Sequence, residues 1–272
     1  MDRPLVSIVI PVYNEAEHLP AMLSSVLNQS WPDLQAIMVD DGSTDGSPDI
    51  ARRFAETDPR LTLLVQKNAG VSAARNTALA HCRGKYIRFV DGDDTLPPHS
   101  LEAMVARAEK DKADLVIGGY TQFLGKTCQH FNRANRSDTI SCHELLKTLN
   151  WQANSLFYGV LWNKLFRREL ITRPPAVRFT SGLTYGEDFA FFADYLQRAE
   201  SIAFMKESVY DYRRQADSMT FHQVADSICH PVKNIRVKLC LYDHLKSLYQ
   251  TRGEYDAYRL TLWLYLLRVG LS

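Results

Sequence analysis

YIRFVDGDD, residues 86–94, is the stretch on which the fold prediction depends. An apolar, β-prone run ends abruptly in three carboxylates, Asp91, Asp93 and Asp94, with Gly92 making the turn. In open α/β sheets, ligands bind just beyond the carboxyl ends of the strands, and carboxylate oxygens suit Mg²⁺ or Mn²⁺. Taken alone, the same residues fit an acidic surface turn at least as well, because Asp and Gly are common turn formers.

Strand-like and helix-like patterns alternate on both sides of this stretch, through residues 1–120. Apolar, β-rich runs predict strands at residues 5–12, 34–39, 61–65, 86–90 and 114–118. Apolar residues at helical spacing predict helices near residues 19–27, 50–54, 71–82 and 100–110. The alternation predicts an α/β fold with a doubly wound, mostly parallel sheet flanked by helices.

Polar loops follow four of the predicted strands: Tyr13-Asn14-Glu15, Asp40-Asp41, Lys67-Asn68 and the Asp91–Asp94 cluster. The carboxyl ends of parallel strands meet at one edge of a sheet, so these loops should gather on one rim. The sequence therefore predicts a ligand site at that rim.

The alternation weakens after Gly118. The polar, basic residues 124–137 indicate an ordered excursion or a loop. Helices are predicted at residues 142–150 and from Gly186-Glu187-Asp188 onward, and short strands at residues 202–205 and 209–212. Helical spacing returns over residues 226–249, and residues 255–271 are apolar and aromatic, which predicts a helical C-terminal appendage.

Composition restricts the class of protein. The chain has 272 residues, 46% hydrophobic and 23% charged, with a net charge of +1, so a nucleic-acid partner is not indicated. Its five cysteines form no CxxC pair, which is typical of reduced thiols in a cytoplasmic protein. Met1 leads straight into a strand-like run, so no signal peptide is expected. No apolar run reaches the roughly 18–20 residues that span a bilayer.

Two nucleotide-binding motifs are missing from the sequence. No GxGxxG follows the first strand, which disfavours a dinucleotide-binding dehydrogenase, and no GxxxxGK[ST] is present, which excludes a P-loop ATPase. A nucleotidyltransferase would need a Gly- and Lys/Arg-rich phosphate loop where Tyr13-Asn14-Glu15 stands.

Several polar residues admit both a functional and a structural interpretation. Asp41 could accept hydrogen bonds from a nucleotide or could cap the next helix. Arg75 could stabilise phosphate charge or could be a solvated surface cation. Glu187 and Asp188 could include a general base, or could simply favour a helix N-terminus. His222 could be a third metal ligand, although a lone histidine near a strand end is more often structural.

The aromatic residues of the second half are also open to two interpretations. They could stack on sugar faces, but aromatics dominate core burial and most are expected in the core. The residues concerned are Trp162, Phe191, Phe192, Tyr210 and Tyr212.

Five motifs in order resemble those of the family 2 glycosyltransferases, which have the GT-A fold. They are VSIVIPVYNE, VDDGSTDGS, NAGVSAARN, YIRFVDGDD and GEDFAFF, at residues 6–15, 39–47, 68–76, 86–94 and 186–192. The resemblance runs from about residue 6 to residue 220. Each motif is weak alone, but five in this order are specific.

The resemblance implies a role for each matching residue. Asp91 and Asp93 take the DXD positions, with Asp93 holding the Mn²⁺ or Mg²⁺ that bridges the diphosphate and Asp91 near the ribose or the metal. Asp188 matches the catalytic base, with Glu187 beside it at the acceptor site. The other implied donor-site residues are Pro11, Tyr13, Glu15, Asp41 and Arg75.

The implied reaction is an inverting transfer of a sugar from a nucleotide sugar, by resemblance a UDP-sugar, to a glycan or lipid-linked acceptor. The QxxRW motif of processive synthases is missing, which favours a single-addition enzyme. The segment YDYRRQADSMT, residues 210–220, resembles bacterial enzymes that build capsule, exopolysaccharide or lipopolysaccharide. The alternative is a nucleotide- or carbohydrate-binding protein of the same fold without turnover.

The expected organisation is one GT-A domain at residues 1–222 with a C-terminal helical extension at residues 223–272. Residues 1–120 would form the nucleotide-binding half and residues 121–222 the acceptor-binding half. The last segment carries Trp263 and flanking arginines, Arg259 and Arg268. It could lie on the inner face of the cytoplasmic membrane or pack on protein.

Overall fold

The computed structural model describes residues 5–125, 127–132, 138–152, 156–183, 185–214 and 231–268. The strands are β1 Val6–Val12, β2 Leu34–Asp40, β3 Leu61–Val65, β4 Tyr86–Phe89, β5 Leu115–Leu124, β6 Thr127–Phe131, β7 Thr139–Ser141, β8 Lys164–Arg167 and β9 Ser201–Arg213. The helices are α1 Leu19–Leu27, α2 Ser47–Thr57, α3 Val71–His81, α4 Ser100–Asp111, α5 Cys142–Gln152, α6 Leu156–Gly159, α7 Arg168–Thr172, α8 Glu187–Leu196, α9 Pro231–Thr251 and α10 Tyr255–Arg268.

A single sheet runs through the described part of the chain in the order β3-β2-β1-β4-β8-β5-β9-β7, and β6 pairs with β5. Strands β1 to β4 are parallel to one another, as the alternating pattern predicts. Every residue of β1 and β2 is buried, because helices cover both faces of the sheet. The predicted α/β class and mostly parallel sheet are confirmed.

The register of the parallel strands aligns their carboxyl ends. Val12 of β1 pairs with Asp40 of β2, and Asp40 pairs with Val65 of β3. The loops that follow these strands therefore begin at the same level, which places them on one rim, as predicted.

The second half of the sheet differs from the prediction in two places. Strand β8 lies antiparallel between β4 and β5, within a segment for which no strand was predicted. The two short strands predicted at 202–205 and 209–212 form one strand, β9, with register shifts against β5 near Gly119. A Cβ on Gly118 would lie 2.5 Å from Val209 Cγ2, so only glycine allows this close approach.

The C-terminal helices pack on the rest of the protein. Helix α9 lies against α8, and α10 contacts α9 and α5. Tyr249 donates a hydrogen bond from its hydroxyl to the carbonyl oxygen of Leu146 on α5, at 2.9 Å. The helical C-terminal appendage is confirmed over the described residues. None of the helices in the described ranges has the length and apolar character needed to cross a membrane.

Candidate functional site

The loop after β1 is fastened to the loop after β2 by hydrogen bonds. The backbone N–H of Asn14 donates to Ser43 Oγ at 2.9 Å, and Asn14 Oδ1 accepts from the N–H of Thr44 at 2.8 Å. The N–H of Glu15 donates to Ser47 Oγ at 2.8 Å. Asn14 has φ of 57°, a left-handed conformation that asparagine tolerates better than most residues. The two loops thus form one wall of the rim, and sequence reasoning did not identify these links.

Asp41 organises the neighbouring loop after β3. Its Oδ1 accepts hydrogen bonds from Gln66 Nε2 at 2.7 Å and from the N–H of Ala69 at 2.9 Å, and its Oδ2 accepts from the N–H of Gly70 at 2.7 Å. Asp41 is buried and holds the entry to α3 rather than capping α2. Gly42 is required beside it, because a Cβ there would lie 2.9 Å from the backbone nitrogen of Asn68.

The turn at residues 91–94 carries the densest negative charge of the rim. Gly92 packs on Glu15, since a Cβ on Gly92 would lie 3.1 Å from Glu15 Cγ. Burial first, and then the charge of Asp91, raises the pKa of Asp93 to about 6. Burial, followed by the charges of Asp93, Asp91 and Asp45, raises the pKa of Glu15 to about 7. A cation at this turn would favour the ionised form of these carboxylates.

Asp94, the third acid of the turn, has a structural task. Its Oδ2 accepts a hydrogen bond from the Tyr210 hydroxyl at 2.9 Å, and its Oδ1 accepts from the N–H of Arg213 at 2.7 Å. The Tyr210 hydroxyl also accepts from the N–H of Asp91, at 3.1 Å. Asp94 is buried and joins the end of β9 to the acidic turn.

Arg75 on α3 joins the acidic turn to α8. Its Nη2 lies 3.0 Å from Asp91 Oδ1, and its Nη1 lies 2.5 Å from Asp188 Oδ1 and 3.5 Å from Glu187 Oε1. The Arg75 side chain is only 5% exposed, so its interpretation as a solvated surface cation is wrong. Lys67, by contrast, is exposed.

Helix α8 presents Glu187 and Asp188 in its first turn. Gly186 precedes them with φ of 77°, a conformation that favours glycine, and it packs on Leu241 of α9. Burial raises the pKa of Asp188 to about 7, although the positive charge of Arg75 acts in the opposite direction. A carboxylate whose pKa lies near neutrality is suited to accept a proton from a hydroxyl.

Lys164 on β8 is a buried cation behind α8 that sequence reasoning missed. Its Nζ donates to the carbonyl oxygens of Phe157, at 3.2 Å, and of Val160, and to Asn163 Oδ1 at 2.9 Å. It also lies 4.9 Å from the ring centre of Phe192 on α8. The signal in the sequence was a polar Asn-Lys pair inside an otherwise apolar run.

The remaining predicted site residues are placed as follows. Pro11 is buried in β1 beside Val39, and Tyr13 is 49% exposed at the rim. His222 lies outside the described residues. The core interpretation of Trp162, Phe191, Phe192 and Tyr210 is confirmed by their burial, and Trp162 stacks on Tyr210 with ring centres 4.4 Å apart.

The acidic turn fits a divalent cation that is also bound by a substrate. Asp91 and Asp93 supply hard carboxylate oxygens, which suit Mg²⁺ or Mn²⁺. Over the part of the chain that the structure describes, no three His, Cys, Asp or Glu side chains are grouped closely enough to hold a metal. Mg²⁺ is typically bound by one or two carboxylates plus substrate phosphates, so the residues of this turn fit such an ion.

Comparisons with known proteins agree with this geometry. A family model described as Glycosyl transferase family 2 matches residues 7–173. The Bacillus subtilis protein "Uncharacterized glycosyltransferase EpsJ" is 31% identical over 245 residues, which cover 89% of this chain and 70% of that protein. "Putative glycosyltransferase EpsH" of the same organism is 31% identical over 265 residues, covering 95% of this chain and 73% of that protein.

Solved structures show the same fold. The crystal structure of S. aureus TarS 1-349 in complex with UDP-GlcNAc has a TM-score of 0.67 at 20% identity, covering 97% of this chain and 79% of that one. The mannosyltransferase PcManGT from Pyrobaculum calidifontis, in complex with GDP-Man and Mn²⁺, has a TM-score of 0.61 at 19% identity. The match covers 100% of this chain and 87% of that one. With the family model and the curated relatives, these likenesses establish that the chain belongs to glycosyltransferase family 2 and has the GT-A fold.

Proposed function

We propose that the protein is an inverting, metal-dependent, non-processive glycosyltransferase that uses a UDP-sugar. The observation that carries this proposal is the position of Arg75, which holds Asp91 of the acidic turn and Asp188 of α8 on one guanidinium. In this proposal, the donor side and the acceptor side of the site meet at the buried Arg75 guanidinium. The nucleotide is inferred from TarS, whose structures contain UDP and UDP-GlcNAc.

In this proposal the donor lies along the rim formed by the loops after β1 to β4. Asp93 and Asp91 would hold Mn²⁺ or Mg²⁺, which when bound offsets negative charge on the leaving diphosphate. Two structural relatives of this fold were solved with nucleotide sugars, and PcManGT also with Mn²⁺, which supports a nucleotide sugar and a divalent cation as the ligands. The nucleoside and its phosphates would contact Pro11, Tyr13, Glu15, Asp41, Arg75 and Asp91.

The chemical step requires a base on the opposite side of the sugar from the leaving group. The acceptor hydroxyl oxygen attacks the anomeric carbon as the bond from that carbon to the diphosphate oxygen breaks. The hydroxyl proton passes to the Asp188 carboxylate, and the nucleoside diphosphate leaves with the bonding electron pair. A single displacement of this kind inverts the anomeric centre. Glu187 would line the acceptor site beside the base.

The cellular task proposed is bacterial surface polysaccharide synthesis at the inner face of the cytoplasmic membrane, with a glycan or lipid-linked saccharide as acceptor. Helix α10 supports peripheral membrane contact, because Leu260 and Trp263 are 72% and 59% exposed and Arg259 lies beside them. We also retain the proposed division into a GT-A domain at residues 1–222 and an extension at residues 223–272.

The experiment is a thermal-shift panel of nucleoside diphosphates and sugar nucleotides, with and without Mn²⁺. A ligand that binds the native state raises Tm by mass action. A metal-dependent rise with uridine nucleotides supports the proposal and names the donor base. No rise with any nucleotide, in folded protein, would refute the donor site. Donor consumption in a mixture of acceptors then separates an enzyme from a binding protein without turnover.

A further inference from the structure

Helix α9 of the C-terminal extension lies against α8, the helix that carries the proposed base. Their contact begins where α8 begins. A Cβ on Gly186 would lie 2.8 Å from Leu241 Cδ1 and 3.2 Å from Leu241 Cδ2, so both methyl groups of Leu241 lie directly against Gly186. Leu241 is buried. Because Gly186 precedes Asp188 by two residues, Leu241 packs at the point where the backbone enters the first turn of α8.

Polar contacts continue this interface towards the other end of α8. His244 Nδ1 lies 2.8 Å from Asp194 Oδ1. Arg252, which directly follows α9, donates from Nε at 3.1 Å and from Nη2 at 2.7 Å to the carbonyl oxygen of Leu196, the last residue of α8. The contacts follow the same order along both helices. Helix α9 therefore holds α8 from its N-cap to its last residue.

The side chain and the backbone of Asp188 are restrained by different elements. Arg75 on α3 holds the carboxylate, with Nη1 2.5 Å from Asp188 Oδ1. The backbone turn opens at Gly186, whose carbonyl oxygen accepts from the N–H of Ala190 at 3.0 Å. Leu241 packs on the residue that accepts this first hydrogen bond of the helix. A displacement of Gly186 would therefore move the backbone of Asp188 while Arg75 still held its carboxylate.

A small displacement of this turn would matter for the proposed reaction. A general base must stand within hydrogen-bond reach of the hydroxyl that it deprotonates. A misplacement of about 1 Å, caused by a change away from the reacting atoms, can lower a rate by about 10²-fold. Packing between α9 and the N-cap of α8 thus has a consequence for the rate as well as for stability.

We propose that α9 positions the first turn of α8 for catalysis, with Leu241 as the positioning residue that sets the place of Asp188. Leu241 acts through Gly186 rather than on the substrate. The inference rests on the proposed function, since it concerns the proposed base. It goes beyond that function because it makes α9 part of the catalytic unit rather than a stabilising appendage.

The test compares Leu241→Ala with Leu248→Ala in the whole chain. Leu248 is also buried in α9, but it lies seven residues further along, about 10 Å away at the helical rise of roughly 1.5 Å per residue. Both variants remove the same atoms from the core, so both should lower Tm.

Hydrogen exchange, followed by mass spectrometry under conditions in which both variants stay folded, gives the first readout. The amides of residues 190–193 should exchange at least about tenfold faster in Leu241→Ala than in the wild type, because the first turn of α8 opens locally. The same amides should exchange at the wild-type rate in Leu248→Ala.

Turnover gives the second readout, measured as UDP release from UDP-GlcNAc with Mn²⁺ and a mixture of p-nitrophenyl glycosides. At saturating donor, the rate should fall at least about tenfold in Leu241→Ala while the Kd of UDP stays within about twofold of the wild type. Leu248→Ala should keep the wild-type rate. Leu241→Met, which conserves volume, should restore most of the loss. Leu241→Val replaces Leu241→Ala if the latter does not fold.

The inference is overturned if residues 190–193 exchange equally in Leu241→Ala and Leu248→Ala, or if Leu241→Ala releases UDP at the wild-type rate. The exchange comparison needs neither ligand nor turnover. A wild type that neither binds UDP nor releases it would therefore contradict the proposed function, while the exchange of residues 190–193 still decides whether α9 positions this turn.

Discussion

Arg75 Nη1 lies 2.5 Å from Asp188 Oδ1, although 113 residues separate the two in the chain. The same guanidinium contacts Asp91 of the acidic turn. The side chain of Asp188 is 20% exposed, so it is accessible at the rim. Its negative charge is balanced by the guanidinium of Arg75. This contact determines where the proposed base stands relative to the proposed metal ligands.

Asp188→Asn is expected to keep donor binding and lose transfer. The amide has nearly the same shape as the carboxylate but cannot accept the proton of the acceptor hydroxyl. The rate of transfer should fall by about 10²–10⁴-fold, the usual effect of removing a general base. Single-turnover transfer assays alongside UDP-sugar titrations measure both quantities. Transfer near the wild-type rate would exclude Asp188 as the base.

The rate of transfer should rise with pH through neutrality. The base must be ionised, and the pKa of Asp188 is raised to about 7 by burial. Its ionised fraction therefore increases from roughly one eleventh at pH 6 to roughly ten elevenths at pH 8, which gives about a tenfold rise in kcat. A kcat profile from pH 5.5 to 8.5 measures this. A flat profile over that range would contradict the assignment.

Arg75→Ala should destabilise the folded protein strongly. Removing one partner of a buried ion cluster costs about 3–5 kcal/mol, because Asp91, Glu187 and Asp188 would then face one another without a counter-charge. Arg75→Lys keeps the charge and should lose less. Urea unfolding measures both, with Arg53→Ala as the surface control. If Arg75→Ala had the same free energy of unfolding as the wild type, the cluster would not stabilise the fold.

His244 should link α9 to α8 in a pH-dependent way. Its Nδ1 lies 2.8 Å from Asp194 Oδ1, and its Nε2 lies 3.4 Å from Thr180 Oγ1. The hydrogen bond to Asp194, supported by the charges of Asp194 and Asp243, raises the pKa of His244 above its ordinary 6.5. A group with a raised pKa stabilises the folded state fully below its unfolded pKa, and this stabilisation is lost as pH rises through the folded pKa.

The corresponding variant is His244→Gln. The free energy of unfolding of this variant should be lower than that of the wild type, and the difference should be larger at pH 6 than at pH 8.5. Urea unfolding at the two pH values measures this difference. Asp194→Asn should abolish most of this difference. An equal loss at both pH values would mean that the ion pair does not contribute.

The first half of the fold and the acidic turn were predictable because their signals are local. Strands β1 and β2 are continuous apolar runs, and the polar residues that follow them, such as Glu15 and Asp41, stand where parallel strands end. The rule that these ends share one edge was enough to bring the loops together. The GEDFAFF motif likewise located the start of α8.

The second half was less predictable because its structure depends on contacts distant in sequence. Four residues of β8 pair antiparallel with β4 and β5, and no local periodicity indicates that position. The exposed pair Lys206-Glu207 interrupts the apolar pattern of β9. One strand with a bulge was therefore predicted as two short strands. Arg75 can be buried because the carboxylate of Asp188 balances its charge. Asp188 lies 113 residues further along the chain, so the sequence near α3 could not identify it as the partner.

The most direct test of the account is UDP binding to the wild type and to Asp93→Ala, with and without Mn²⁺, by calorimetric titration. The central claim is that the turn at residues 91–94 would hold a divalent cation that offsets the negative charge of the donor diphosphate. We predict that Mn²⁺ strengthens UDP binding to the wild type and has no such effect on Asp93→Ala, which should melt as a folded protein. Undiminished Mn²⁺-dependent UDP binding by Asp93→Ala would contradict the claim.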